Sequence, residues 1–178
     1  MSHSFLKESK LYIVYGGNKY RIYTSTALDF SQTFAQDSYP VKTLHNQAKM
    51  VEEATITTAN ATDFSFNVPL TKEKDESPII SLIEGLSSDN QLTSFDIYVQ
   101  TGSASFKVDN AHITSADFDI SPNSQFTVRV QGQGTKLEKV GDESYTIPGN
   151  APSGSNWDTV GSNQLSTSTR TPLLVYPV

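Results

Sequence analysis

The sequence predicts a mainly β fold: a β-sandwich or small barrel with one short flanking helix, a long inter-strand arm and an extended C-terminal tail. Three observations carry this. Runs with a period of two recur as far as Gln131, as in residues 63–70 (DFSFNVPL), where Phe64, Phe66 and Val68 share one face and Ser65 and Asn67 the other. A single stretch, opened by Ser77-Pro78, combines helical spacing with a start signal. The runs are joined by turns rather than by crossover helices, which argues against a βαβ fold.

Composition sets the scale. At 178 residues and 36% hydrophobic content the chain suits one domain with a real core. We divide it into a β domain over residues 1–140 and a Gly/Ser/Thr-rich extension over residues 141–178, docked on the body or on a neighbour. The formal charge of -6 argues against nucleic acid as a gripped ligand, because duplex binding draws its affinity from Lys and Arg neutralising phosphates. Acidic walls would instead let DNA slide past. The absence of cysteine excludes disulfides and thiolate metal sites, so stability must come from packing, sheet hydrogen bonds or subunit contacts. The sequence holds neither a signal-peptide core nor a run of about 18 apolar residues. A soluble protein made in a cytoplasm, with no membrane partner, is expected.

Residues 10–15 (KLYIVY) and 19–24 (KYRIYT) flank Gly16-Gly17-Asn18 and read as a tight β-hairpin, whose second strand runs on through Leu28 and Phe30. From Ala27 to Leu70 comes the stretch around which the chain is organised. Strand-like runs enclose a long polar segment, and Tyr39-Pro40-Val41 forms a small apolar knob within it. A compact domain rarely holds so long an unstructured connection, because its backbone polar groups need partners. It is expected to project as an arm or extended hairpin that finds those partners on another subunit. Residues 52–57 and 63–70 are expected to pair with each other across the polar connector 58–62.

Ser77 as N-cap and Pro78 at the first helical position open a helix over residues 78–86 with Ile79, Leu82, Ile83 and Leu86 as its apolar stripe. Asp75 and Glu76 sit at its N-terminus, where the dipole favours negative charge. Residues 94–101 turn at Gly102 into a return strand over 105–108, and residues 112–120 pair with 125–131 across Ser121-Pro122-Asn123. Gly132-Gln133-Gly134 reads as a hairpin turn, lacking the helix a nucleotide loop requires. Beyond Val140 the composition shifts to Gly, Ser, Thr, Asn and Pro, yet Trp157 and the apolar end 172–178 are anchors that favour docking over free solvation.

Chemistry is thinly represented. His3, His45 and His112 stand apart from one another and from any ligand-spaced cluster, and there is no GxSxG elbow. Glu52 and Glu53 point to opposite faces of a strand, and the Asp75-Glu76 pair belongs to a helix start. No catalytic, cofactor or metal site is expected, and no enzyme.

The succession LDFSQTFAQDSYPVKTLH (residues 28–45), TTANATDFSFNVPL (57–70), FDIYVQT (95–101) and FKVDNAHITSADFDIS (106–121) resembles the tail tube proteins of tailed bacteriophages across residues 11–137. The resemblance implies a body flanked by one helix, a hexameric ring with a continuous inner β-barrel, and rings stacked into a hollow tube that conducts DNA without specific binding. It also implies contacts with other tail proteins, among them sheath, baseplate and tape measure, and a place in the virion after synthesis in the host cytoplasm. The chain has Asn60-Ala61 where family strands commonly have Asn-Pro, and the extension after Val140 is not a constant part of a tube subunit. A tube-initiating ring of the baseplate is therefore one alternative. A carbohydrate- or receptor-binding β-sandwich, with Tyr39, Trp157 and Tyr176 as stacking surfaces, is another. The expected subunit interface is Phe30, Phe34, Tyr39, Pro40, Val41, Lys42, Leu44 and His45, with Lys42 and His45 placed to pair with acidic groups of the next subunit.

Overall fold

In the computed structural model, which describes residues 9–24, 28–40, 52–72, 77–85, 89–151 and 171–176 (35–40 and 52–58 as backbone), neighbouring strands run antiparallel throughout. β1 (Lys10–Tyr15) and β2 (Asn18–Ile22) form the expected hairpin. Its two-residue turn needs positive φ at both positions, and Gly16 and Gly17 supply +57° and +78°. β3 (Asp29–Pro40) and β4 (Glu52–Pro69) make a second, far longer hairpin, followed by α1 (Ser77–Glu84). β5 (Phe95–Gln100), β6 (Ser105–Asp119), β7 (Thr127–Gly134) and β8 (Lys136–Gly141) complete the order.

The strands run β2-β1-β5-β6-β7-β4-β3 in one sheet, with β8 also on β6. The sheet is not closed into a barrel; it folds over on itself along β6. The first half of β6 lies between β5 and β8, and its second half pairs with β7. Between them one extra β6 residue is accommodated by a bulge in which Asn110 adopts a φ of +47° and its N–H donates to Asp96 Oδ1 at 3.1 Å. The two halves close on a common core, Leu11, Ile13 and Val99 from one and Phe64, Val68, Val128 and Val130 from the other. Phe64 meets Phe95 edge-on at 6.3 Å across the fold, and Phe30 lies 6.1 Å from Phe106. α1 adds Ile79 and Leu82, and Thr93 Oγ1 donates to the Gly85 carbonyl at its end.

Several expectations are corrected. Residues 52–57 and 63–70 do not pair with each other: both belong to β4, whose partner is β3, and the connector 58–62 is strand because it offers neither Gly nor Pro to turn on. Residues 105–108 and 112–120 are likewise one strand, bent at Asn110 and not broken there. β2 does not continue into residues 28–30, since β2 and β3 occupy opposite ends of the sheet. Gly132 and Gly134 lie inside β7; a Cβ on Gly132 would stand 2.2 Å from the His112 carbonyl and 2.3 Å from Phe64 Cζ, so close backbone approach, not turning, requires the glycine. The chain does not reverse after Gly134: a bend at Thr135, whose N–H donates to Asp109 O, leads into β8, which continues antiparallel along β6. The helix ends at Glu84, and Leu86, Asp75 and Glu76 lie outside the described residues. β8 had no counterpart among the sequence expectations.

Candidate assembly edges and the polar face

β7 accompanies β4 only from Thr62 to Pro69. Residues 52–61 of β4 have β3 alone as a strand neighbour among the described residues, so the hairpin runs on past the sheet by about 30 Å at the rise of a strand. Two register shifts, between Gln32 and Phe34 and between Ala35 and Gln36, bend it at its base. There Gln32 Nε2 donates to Asn60 O at 2.9 Å, Asn60 Nδ2 to Thr33 Oγ1 at 2.8 Å, and the Leu137 N–H to Gln32 Oε1 at 3.1 Å. This clamp fixes the arm to β8.

The second half of β6, β7, β4 and β3 form a four-stranded layer with two edges that carry no strand partner among the described residues: the outer side of β3 and the side of β6 away from β7. Register decides which residues share a face. One face carries Phe30, Phe64, Phe66, Val68, Val128, Val130, Ala116 and Phe118. The other carries Ser31, Ser65, Gln131, Gln133 and Ser115 with four carboxylates, Asp29, Asp63, Asp117 and Asp119, against one guanidinium, Arg129. Gln133 Nε2 donates to Asp63 Oδ1 at 2.9 Å and Ser115 Oγ to Gln131 Oε1 at 3.1 Å, and a shallow polar depression lies over these residues. Among the described residues no group of three or more His, Cys, Asp or Glu could hold a metal.

In the remaining layer the end strands β2 and β8 each have one strand neighbour, and side chains and the chain after β8 make further contacts. Lys107 is gripped by Asp96 at 3.1 Å and by Asp109. Burial works against its charge, but the hydrogen bonds to Asp109 and Asp96 outweigh it and hold the pKa above the ordinary lysine value. Tyr145 stacks on Tyr98 at 6.2 Å. The segment that follows closes over the β1–β2 hairpin, where the Lys19 N–H donates to Asn150 O, Lys19 Nζ donates to Ile147 O, and burial lowers the Lys19 pKa.

Of the interface residues read from sequence, Phe30 packs against the core, and Phe34 stands 51% exposed on β3. Tyr39 and Pro40 lie on the arm, where their backbones pair with Glu53 and Glu52. Val41, Lys42, Leu44 and His45 lie outside the described residues. The sequence reading missed the β6 edge, where Phe118 and Ile120 are 47% and 60% exposed. Their alternation with Asp117 and Asp119 marked a strand face, but only the pairing shows that this face runs past its cover.

A family model described as the bacteriophage baseplate tube protein family matches residues 1–154. The chain belongs to this family. Membership makes it a structural component of a phage tail, as the resemblance to tail tube proteins implied. No curated protein matches it in sequence. The sheath/tube terminator of an extracellular contractile injection system in its extended state has a TM-score of 0.58 at 11% identity over 78% of this chain and 97% of that one. The tube-terminating cap of the anti-feeding prophage gives 0.58 at 12% identity over 79% and 93%, and a chain of that particle's baseplate gives 0.55 at 8% over 79% and 98%. At such identities the likeness is one of fold. No described helix is long and apolar enough to cross a membrane.

Proposed function

We propose that this protein is a non-enzymatic, ring-forming subunit of the tail tube, its copies joined edge to edge and its polar face turned to a bore through which DNA passes. The observation that carries the reading is the match between the two open edges. Strand direction alternates across β6, β7, β4 and β3, so four strands per copy leave β3 antiparallel to the β6 of the next copy, and the alternation continues across the boundary. Both edges are apolar on the same face, through Phe30 and Phe34 on β3 and Ile113, Ala116 and Phe118 on β6. Closure into a ring removes both exposed edges. The acidic opposite face suits passage of DNA, since Asp29, Asp63, Asp117 and Asp119 repel phosphates within a screening length of about 8 Å at physiological salt. Six copies per ring and stacked rings follow from the resemblance to tail tube proteins.

Phe118→Asp tests this. The monomer should keep its circular dichroism, because the side chain is half exposed, while negative-stain microscopy and sedimentation lose the rings. Tyr39→Asp should impair assembly in the same way. Rings undiminished in Phe118→Asp, or wild-type monomers alone at every concentration with and without tail partners, would sink the reading. A second reading, the ring that starts the tube at the baseplate, is favoured by the description of the family. A wild-type protein that closes into single rings and recruits a different tube protein would decide for it.

A further inference from the structure

Residues 171–176 lie beyond the family match, which ends at residue 154, yet they are built into the sheet. They fill the splay between the chain leaving β4 and the chain entering β7. Leu173 donates its N–H to Leu70 O at 3.0 Å and accepts from the Phe126 N–H at 2.8 Å. Val175 donates to Ser124 O at 3.0 Å and accepts from the Asn123 N–H at 2.7 Å, and the Lys72 N–H reaches Thr171 O at 2.9 Å. Leu174 stands opposite Gln125 in this short ladder. Since Gln125 continues the polar face of β7 and Phe126 the apolar one, Leu173 falls on the apolar side and Leu174 and Tyr176 on the polar side.

The result is an end unlike the rest of the layer. Elsewhere one face is apolar and the other polar; here both are apolar and open, with Leu173 40% and Ile120 60% exposed on one side and Leu174 51% and Tyr176 74% on the other. A neighbour added to an open strand edge extends the layer sideways and cannot cover both faces of its end. Only a partner arriving along the strands does that. The β3–β4 arm leaves the layer at the Thr62 and Gly134 end, and the strap closes the Pro69 and Thr127 end, so copies set in line present the arm of one to the strap of the next.

We propose that the strap and the end of β6 form an axial docking surface for a second copy of this chain, which seats its arm-bearing end there head to tail. The inference rests on the ring reading above and adds to it the contact that joins one ring to the next. It assigns that contact to a segment outside the family match.

Leu174→Asp and Tyr176→Asp test it, with Ile120→Asp as a separate probe of the other side, each measured by circular dichroism, sedimentation and negative-stain microscopy of the purified full chain. All three side chains are more than half exposed, so the fold should survive. Rings should form as in the wild type, while mean stack length falls about tenfold or more. Stacks of wild-type length in the Leu174 and Tyr176 variants overturn the inference while leaving the ring reading intact. So do wild-type rings that never stack, or that join in pairs through their strap ends. A wild-type protein that forms no rings removes both readings together.

Discussion

The two layers of the folded sheet differ in how complete they are. In the layer of β2, β1, β5, the first half of β6 and β8, the segment through Tyr145, Ile147 and Asn150 closes over the β1–β2 hairpin, and a half-buried ion cluster pins the corner. In the layer of the second half of β6, β7, β4 and β3, two edges are open, one face is polar, and a hairpin runs past the body. The first behaves as a domain core should. On the ring reading proposed above, the second is organised around contacts with other copies. On that reading stability and assembly are assigned to different parts of one sheet, with β6 common to both, so substitutions should separate them.

Gly132→Ala should have the largest effect, because it strikes where the layers meet. The new Cβ would lie 2.2 Å from a backbone oxygen of β6 and 2.3 Å from the Phe64 ring, and the oxygen cannot give without shifting the strand. A cost of about 3 kcal/mol or more is expected, a fall of about 10 °C in Tm, with assembly lost alongside. Gly17→Ala is the control: nothing lies within 4 Å of its Cβ, and only the φ of +78° resists, so about 1 kcal/mol is expected. Equal losses in thermal melts would show that the β6 and β7 backbones are not held as closely as the geometry requires.

Asp96→Ala comes next and acts on the finished layer alone. It removes the acceptor for the Asn110 N–H at the bend and one of the two carboxylates around Lys107. About 1–2 kcal/mol of stability should go, with ring formation unchanged below the melting range. The pH dependence has a definite sign. Lys107 has its pKa raised above 10.5 in the folded chain, so its contribution is complete below that value and is lost as pH rises through the higher folded one. The wild type should therefore lose more stability than Asp96→Ala under strongly alkaline conditions, in melts followed by circular dichroism. An identical alkaline decline in both would remove the ion cluster from the account.

What the sequence disclosed, and what it withheld, follows the same division. Turn chemistry that depends on adjacent residues was legible: Gly16-Gly17 announced its hairpin, and Ser77-Pro78 its helix. Continuity was not. Thr58 to Thr62 looks like a connector because it is small and polar, yet as far as Ala61 it lies on an arm that β7 does not accompany, so polarity there says nothing about turning. Asn110 looks like a break, and it is a bend, because Asp96 across the ladder satisfies its N–H. Gly132 suggested a turn, since the reason for the glycine is His112 and Phe64, both remote in sequence. The β6 edge and the strap depend on pairings between residues as far apart as Gln125 and Leu174, and no local period encodes those.

Thr62→Val should have the smallest effect and the most informative sign. Thr62 is fully buried at the base of the arm, opposite Gln32 and Gly134, and its Oγ1 has no hydrogen-bond partner among the described residues. A buried hydroxyl without a partner costs stability, and valine keeps the branched shape, so the isolated chain should gain about 1 kcal/mol and about 2–4 °C in Tm. Nothing among the described residues accounts for a threonine there, whereas this is the last position at which β4 still has β7 beside it before the arm departs. If the hydroxyl finds its partner when copies join, the variant will be the more stable monomer and the weaker ring former, a combination sedimentation and thermal melts would read together. A monomer that melts lower than the wild type would mean that the hydroxyl is already satisfied, and the base of the arm would then belong to the finished part of the sheet.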